Sequence, residues 1–539
     1  MTVKTVAPVA LLGLLLAGRA FAQECATSVV SRASVRVEYR VAGSSAGRAD
    51  ALVFERSDVG ILRALDSTTG AELWVYQAPE LAAAAATRGL ITDLAVLRFD
   101  ANGDGVIDAG GGDKVWLYFG MKRGGPYYTA LDVTDRIPRV LWKAGAGTLE
   151  GLGEAWSTPT ITRVRIAGAA QNGERFVLIF GGGTATGSGG GAGTGTGKGN
   201  RLFMVDAATG HLLWSAGDQP GADRALTRMN HGIAARVAVL DIDGDTFADR
   251  MYAADVGGRI WRFDIWNGRG RDDLATGGVI ASLGAAEPLP APAALSDARR
   301  FFNAPDVALI QPRGSDAYYN LAIGSGDGSD ARAAGVRDRF YSIRDREPFV
   351  KRSQADYDAA TPLFDADLTA ITASPQTARV PDDAPGWKLD LTLNGESSGE
   401  KVLAESLTAN GVILFTTYQP GMITDAAGCE ANGTNRVYAV RVDSGTAALD
   451  LNGDKLITTA DRFATLVQQG IAGEPRIELA IPGEVRAPGP LPAPPGGPVE
   501  PGSEPALSGA RCFVGAEQMN QCVPMDTVIR TFWKRTSIN

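Results

Sequence analysis

Three short segments of the chain place acidic and amide side chains at alternating positions, the spacing of an oxygen-rich metal loop. Side-chain oxygens occupy positions 1, 3 and 5, and another follows at position 9. The backbone carbonyl of position 7 can complete each set. The candidate ligands are Asp241, Asp243, Asp245, Phe247 (backbone) and Asp249 in the 241 loop (residues 241–249); Asp100, Asn102, Asp104, Val106 (backbone) and Asp108 in the 100 loop (residues 100–108); and Asp450, Asn452, Asp454, Leu456 (backbone), Thr458 and, at position 12, Asp461 in the 450 loop (residues 450–461).

The ligand type predicts Ca²⁺. Calcium is a hard cation that takes six to eight oxygen ligands, whereas magnesium keeps more of its water and uses fewer protein ligands. Three or four carboxylates in one tight loop repel one another when no cation lies between them. The 241 loop, with four carboxylates, is the principal candidate. The alternative for every loop is an acidic turn on a solvated surface that binds no metal.

The three loops depart from a helix–loop–helix calcium site. Only the 100 loop has glycine at position 6, where Thr246 and Lys455 stand in the other two, and only the 450 loop has a carboxylate at position 12. The 241 loop is flanked by segments rich in alanine, valine and leucine that are typical of strands. The pattern therefore predicts calcium held at the ends of β-hairpins.

A repeat indicates the fold that positions these loops. Its unit is a strand ending in aspartate, a turn that often contains Thr-Gly, and a second strand closed by tryptophan. An aspartate can accept hydrogen bonds from the turn, and glycine tolerates positive φ. The tryptophan is expected to lie across the neighbouring unit. Strong copies run from Asp66 to Trp74, Asp132 to Trp142 and Asp206 to Trp214, with weaker echoes at 260–264, 340–345 and 437–443.

The spacing of these copies, several tens of residues, fits a four-stranded blade and predicts an all-β chain. We expect a β-propeller of six to eight modified blades, with seven preferred and long insertions between some strands. A β-sandwich with similar turns is the alternative. The expected organisation is a signal peptide at 1–22, the propeller at 23–480 with a Gly-rich insertion at 181–199, a Pro/Gly-rich linker or wrap at 481–507, and a C-terminal segment at 508–539 that closes on the propeller.

The N-terminus and the composition indicate an exported protein. Lys4, a short apolar run and Ala20-Phe21-Ala22 form a signal peptide with a cleavage site, and the alternative is an N-terminal anchor. No later segment is apolar enough to cross a membrane. The formal net charge of −9 over 539 residues argues against nucleic acid as a partner. The expected location is the periplasm, the outer-membrane surface or a pilus.

Four cysteines lie beyond the predicted cleavage site, which suits an oxidising compartment. Three pairings are possible. Cys512 and Cys522 are close in sequence and are the favoured disulfide, which leaves Cys25 and Cys429 as a second pair. Free buried thiols are the alternative.

Several long motifs resemble the PilY family, and they occur in order over most of the chain. They are GMKRGGPYYTALDVTD at 120–135, WSTP at 156–159, ADVGGRIWRFD at 254–264, GWKLDL at 386–391, FTTY at 415–418 and RTFW at 530–533. The resemblance implies a modified seven-bladed propeller at a type IV pilus, with pilins, minor pilins and other assembly proteins as partners. It also implies a role in adhesion and in pilus extension against retraction.

The resemblance bears on the site as well. Family members carry a calcium loop ahead of a blade, which the flanking residues place on the 241 loop. The sequence departs from the family in one respect: the propeller is expected almost directly after the signal peptide, without the usual long N-terminal half. The resemblance therefore supports force sensing and direct surface adhesion less than the other roles, and it indicates a propeller-only paralogue or a truncated gene product.

The blade pattern is also similar to that of quinoprotein dehydrogenases, which bind pyrroloquinoline quinone. Those enzymes usually place a disulfide of adjacent cysteines under the cofactor, and this chain has no such cysteine pair and no Cys-x-x-Cys-His motif. His211 and His231 are its only histidines, which argues against a His-based triad. We expect no catalytic residues. A scaffold of another envelope complex and a quinone-dependent dehydrogenase are the alternative functions.

Overall fold

The computed structural model describes most of the chain between residues 34 and 538. The described residues are 34–39, 50–57, 60–79, 91–104, 107, 109–168, 174–185, 198–218, 220–284, 295–312, 314–371, 380–393, 396–421, 433–468, 470–479, 510–515, 517–523 and 537–538. The predicted signal peptide, Val106, Asp108, Cys25, Cys429, most of the Gly-rich insertion and the 481–507 linker lie outside them.

Seven main sheets form the blades of a β-propeller, and the all-β prediction with seven blades is confirmed. Blade 1 contains β1 (Ser34–Tyr39), β2 (Asp50–Arg56), β3 (Ile61–Asp66) and β4 (Glu72–Gln77). Blade 2 contains β5 (Ala95–Phe99), β6 (Lys114–Gly120), β7 (Tyr127–Asp132) and β8 (Arg139–Gly145). Blade 3 contains β9 (Thr160–Arg165), β10 (Glu174–Gly181), β11 (Arg201–Asp206), β12 (Leu212–Gly217) and β13 (Arg224–Ala225).

The next two blades receive extra strands from a long insertion. Blade 4 contains β14 (Ala238–Leu240), β15 (Arg250–Ala254), β16 (Arg259–Ile265), β17 (Ala275–Ser282) and β21 (Leu363–Phe364). Blade 5 contains β18 (Asp306–Ile310), β19 (Tyr318–Gly324), β20 (Arg339–Asp345), β22 (Thr369–Ile371) and β23 (Gly386–Asp390). The insertion also carries the helix α1 (Gln354–Ala359), which begins with a capping box at Ser353.

The last two blades follow, and the C-terminal residues add strands to blade 7 and to blade 2. Blade 6 contains β26 (Leu407–Ala409), β27 (Val412–Gln419), β28 (Thr434–Arg441) and β29 (Phe463–Thr465), and blade 7 contains β30 (Pro475–Leu479), β31 (Ala510–Val514) and β32 (Glu517–Gln518). Cys512 and Cys522 form a disulfide with their Cα atoms 5.0 Å apart. The final strand β33 (Ser537–Ile538) pairs in parallel with β5.

The remaining elements are short. A separate hairpin is made by β24 (Thr392–Leu393) and β25 (Glu396–Ser397). The 3₁₀ turns are Ala109–Gly111, Arg271–Asp273, Leu295–Asp297, Asp365–Asp367 and Thr459–Arg462. Among the described residues, none of the helices has the length and apolar character needed to cross a membrane.

The order of the strands assigns each connection to one of two faces. Antiparallel strands alternate in direction, so the first–second and third–fourth connections of a blade leave at the same end. The second–third connection and the link to the next blade leave at the other end. Because a propeller repeats its blades around an axis, the first set shares one face, which we call the acidic-loop face.

The predicted aspartate turn and the tryptophan contact between blades are both present. Asp66 and Asp206 each accept the two backbone N–H groups and the threonine hydroxyl of the following turn, at 2.7–3.0 Å. Trp142 of blade 2 donates its Nε1–H to the carbonyl of Ala207 in blade 3, at 2.9 Å. Trp74 and Trp387 make equivalent bonds to their next blades. The repeat therefore joins neighbouring blades as well as shaping each one.

Two glycines of this repeat provide a matched test of the contact. Gly70 and Gly210 both have φ near +70°, but a Cβ on Gly210 would lie 2.7 Å from the Trp142 ring, whereas one on Gly70 would meet nothing within 4 Å. We expect Gly210→Ala to destabilise the protein by about 1–3 kcal/mol more than Gly70→Ala, because only the first overpacks the blade interface. Urea unfolding of both variants measures the difference. Equal losses of unfolding free energy in the two variants would show that the positive φ, and not the contact with Trp142, causes the destabilisation.

A buried carboxyl group in the second–third connection of blade 5 predicts a pH effect. Burial raises the pKa of Asp338 from 3.8 to about 6, against the lowering influence of the Ser325 hydroxyl and of Lys401. The Ser325 hydroxyl donates to Asp338 at 2.7 Å. The folded protein therefore keeps a proton on Asp338 between about pH 4 and 6 that the unfolded chain has released.

This difference makes stability fall as the pH rises through that window, by up to about 3 kcal/mol. The substitution Asp338→Asn removes the titrating group. The variant should gain stability relative to the wild type between pH 4 and pH 7, measured by urea unfolding at both pH values. A difference between the two proteins that does not change with pH would contradict the assignment.

Candidate metal centres in the acidic loops

All three acidic loops emerge on the acidic-loop face. The 100 loop lies between β5 and β6, the 241 loop between β14 and β15, and the 450 loop between β28 and β29. The flanking elements of the 241 loop are antiparallel strands paired from Ala238 to Leu240 with Arg250 to Tyr252. The sequence-based expectation of strands rather than helices at this loop is therefore confirmed.

The first aspartate of each loop organises the backbone. Asp241 accepts the N–H groups of Gly244 and Thr246 at 2.7 and 2.8 Å. Asp450 accepts the equivalent groups of Gly453 and Lys455 at the same two distances. Asp100 accepts the N–H of Gly103 at 2.7 Å. These shared hydrogen bonds close a tight turn at the start of each loop.

Position 6 takes a left-handed backbone without glycine. Thr246 has φ 76° and Lys455 has φ 68°, and the glycines two residues earlier also have positive φ. A non-glycine residue in this region costs about 1–2 kcal/mol. The 241 and 450 loops therefore form the same hydrogen-bonded turn although neither has a glycine at position 6.

A closing carboxylate completes two of the loops. Asp249 accepts the N–H of Ile242 at 2.9 Å, and Asp461 accepts the N–H of Leu451 at 3.1 Å. Two groups of three carboxylates result, each with oxygen atoms all within 4.8 Å of one another: Asp241, Asp243 and Asp249, and Asp450, Asp454 and Asp461. Their number and spacing suit a hard cation such as Ca²⁺.

Other predicted ligands are placed differently. Asp245 is not part of the first group, and its Oδ2 lies 3.3 Å from Nη1 of Arg165 in blade 3. In the 100 loop, Asn102 donates to Asp104 at 2.9 Å. Thr458 caps the 3₁₀ turn that carries Asp461. The structure thus separates Asp245 from the group that includes its neighbours.

Sequence reasoning missed two residues at these loops. Asp113 accepts the N–H of Ala101 at 2.8 Å, the role that Asp249 and Asp461 have in the other loops. It stands at position 14, where no metal-loop spacing would place it. Lys351 contacts the 241 loop, with Nζ 2.7 Å from Oδ1 of Asp249. It follows Asp249 by about a hundred residues, so only the fold can bring the two together.

The loops differ in their electrostatics. Burial raises the pKa of Asp241, and the negative charges of Asp245 and Asp249 act in the same direction. Burial also acts to raise the pKa of Asp461, but the backbone N–H groups of Thr458 and Asn452 hold it below its ordinary value. A bound cation would favour the ionised form of Asp241, because an opposite charge nearby stabilises a carboxylate.

No protein-family model matches the chain. The "Type IV pilus biogenesis factor PilY1 homolog" of Xylella fastidiosa is 27% identical over 362 residues, which cover 62% of this chain and 22% of that protein. The "Type IV pilus biogenesis factor PilY1" of Pseudomonas aeruginosa strain UCBPP-PA14 is 24% identical over 374 residues, 60% of this chain and 29% of that protein. The matched part of the chain thus spans less than a third of either relative.

The fold also has a counterpart among solved structures. The crystal structure of the C-terminal domain of Pseudomonas aeruginosa PilY1 superposes with a TM-score of 0.56 at 17% identity. The match covers 87% of this chain and 92% of that domain. The chain is thus similar in sequence to part of the PilY1 pilus biogenesis factors, and it has the fold of the C-terminal domain of PilY1.

Proposed function

We propose that the chain is a calcium-binding, non-enzymatic propeller that acts in type IV pilus biogenesis and modulates pilus extension against retraction. The similarity to proteins named as pilus biogenesis factors is the observation that carries the proposal. Its partners are then pilins, minor pilins or other assembly proteins, and its location is the periplasm, the outer-membrane surface or the pilus.

The metal part of the proposal draws support from the loops. Asp241, Asp243 and Asp249 form one oxygen-rich group, and the 450 loop forms a second on the same face. Their turns are already folded by backbone hydrogen bonds to Asp241 and Asp450. A cation would relieve the repulsion between these carboxylates and would stabilise the folded state by mass action. In this proposal, calcium sets the shape of a docking surface and takes no part in chemistry.

The test is complementation in the bacterium that encodes the chain. The gene is deleted, and the strain receives the wild type, Asp243→Asn with Asp454→Asn, or the control Asp135→Asn. Asp135 is an acidic residue between β7 and β8 on the same face, paired with Arg139 and outside the three loops. Surface pili are counted by electron microscopy, and export of each variant is checked by immunoblotting.

We expect the deletion strain to change its number of surface pili, and the wild type and the control to restore it. The loop variant should be exported but should fail to restore piliation. Normal piliation in the deletion strain would contradict the pilus role. Full restoration by the loop variant would contradict the role of calcium.

A further inference from the structure

The 241 and 450 loops have the same backbone pattern but different charge compensation. In the 241 loop, two of the four carboxylates contact basic side chains from other parts of the chain: Asp245 contacts Arg165, and Asp249 contacts Lys351. In the 450 loop, the structure shows no ion pair to Asp450, Asp454 or Asp461 within the described residues. Within the described residues, basic side chains thus pair with carboxylates of the 241 loop and not with those of the 450 loop.

Lys351 occupies the oxygen that a metal ion would need. Oδ2 of Asp249 accepts the N–H of Ile242, so Oδ1 is the oxygen left for a cation. The ammonium group of Lys351 lies 2.7 Å from that atom and 2.8 Å from the carbonyl oxygen of Ile265. Asp249 is buried, with a side chain only 7% exposed, so water screens this pair poorly.

The backbone on both sides of Lys351 is anchored, which keeps its ammonium group at the loop. The Val350 carbonyl accepts a hydrogen bond from Arg250 at 2.6 Å, and the Arg352 N–H donates to Asp264 at 2.9 Å. A tethered group acts at a high effective concentration. The Trp266 ring, 6.0 Å from Nζ, offers the ammonium group a second favourable position after displacement.

We propose that Lys351 is a built-in competitor for the cation of the 241 loop. Calcium must displace its ammonium group from Asp249 before that carboxylate can bind the ion. No basic side chain in the described part of the chain pairs with a carboxylate of the 450 loop, so this loop fills at a lower calcium concentration than the 241 loop. The two loops then respond to different calcium levels on one face of the propeller. This inference rests on the proposed calcium binding.

Calorimetric titration of the purified full chain with CaCl₂ tests the competition. The substitutions Asp104→Asn and Asp454→Asn in a common background silence the other two loops, so that the heat reports on the 241 loop. Lys351→Gln and Lys351→Met are made in this background. The matched control is Lys388→Gln, which removes a lysine paired with Asp365 at 2.6 Å, away from the loops. Thermal unfolding confirms that each variant is folded.

We expect both Lys351 variants to bind calcium about ten- to a hundredfold more tightly than the background, since they remove a competing charge-assisted hydrogen bond. The control should leave the Kd unchanged. A purely structural role for Lys351 would instead weaken binding. A Kd that is unchanged or higher in both variants would overturn the inference but would not contradict calcium binding itself. Absence of calcium binding in the wild type as well would overturn the calcium-binding part of the proposed function together with this inference.

Discussion

The substitution Asp264→Ala is expected to lower the free energy of unfolding by about 3–5 kcal/mol, because it removes one of the two buried carboxylates that compensate Arg250 and Arg262 and leaves only Asp345. Asp264 lies in blade 4 with no exposed surface, where it contacts Arg250 at 2.7 Å and Arg262 at 3.2 Å. It also accepts the hydroxyl of Tyr357 at 2.7 Å. Burial acts to raise its pKa, but the two guanidinium groups hold that pKa below its ordinary value.

Asp264→Ala should also destabilise the insertion between β20 and β23 of blade 5. Arg250 and Arg262 both donate to the Val350 carbonyl, and the Arg352 N–H donates to Asp264, so this group fixes the segment that carries Lys351. Urea unfolding measures the free energy, and hydrogen exchange at 347–352 reports on the segment.

The control is Asp135→Ala, which removes an exposed partner of Arg139 and should cost less than about 1 kcal/mol. Similar losses from Asp264→Ala and the control would contradict the role of the buried group.

Trp142→Ala is the second large effect, with an expected loss of about 3–5 kcal/mol. Trp142 is 8% exposed and packs between blades 2 and 3, near Tyr118. Its removal opens a cavity at the blade interface and leaves the Ala207 carbonyl without the indole N–H. Urea unfolding gives the loss.

Trp142→Phe separates these two contributions. It keeps an aromatic ring at the interface and removes the hydrogen bond, so it should cost only part of the loss caused by alanine. Equal losses in the two variants would show that the hydrogen bond, and not the packing, holds the blades together.

The blade repeat was predictable because its cause is local. An aspartate, a Thr-Gly turn and a tryptophan lie within about ten residues of one another, and each has one conformational role. A propeller of six to eight blades, with seven preferred, followed from that spacing. The extra strands did not follow: β21 and β33 pair in parallel with strands distant in sequence. Such pairings join residues far apart in the sequence and leave no periodic pattern near either partner.

The acidic loops also combine features that the sequence predicts with features that it does not. Alternating oxygens in the 241 and 450 loops were visible in the sequence, and the structure brings three carboxylates of each together. Asp113 and Lys351 were not visible, because each reaches its loop through the fold and not through a fixed offset. The contact between Asp245 and Arg165 of the neighbouring blade also depends on the fold. Local spacing thus predicts which carboxylates of a loop lie close together, whereas the electrostatic surroundings of the loop come from tertiary contacts.

Calcium titration of the purified, chelator-stripped wild-type chain is the most direct test that this is a calcium-binding propeller. Isothermal calorimetry is run on the wild type, on the single variants Asp243→Ala and Asp454→Ala, and on the variant with both substitutions. We expect saturable binding in the wild type, loss of part of the heat in each single variant, and a larger loss in the double variant. No saturable binding, or binding that survives all of these substitutions unchanged, would contradict the account and reduce the acidic loops to surface turns.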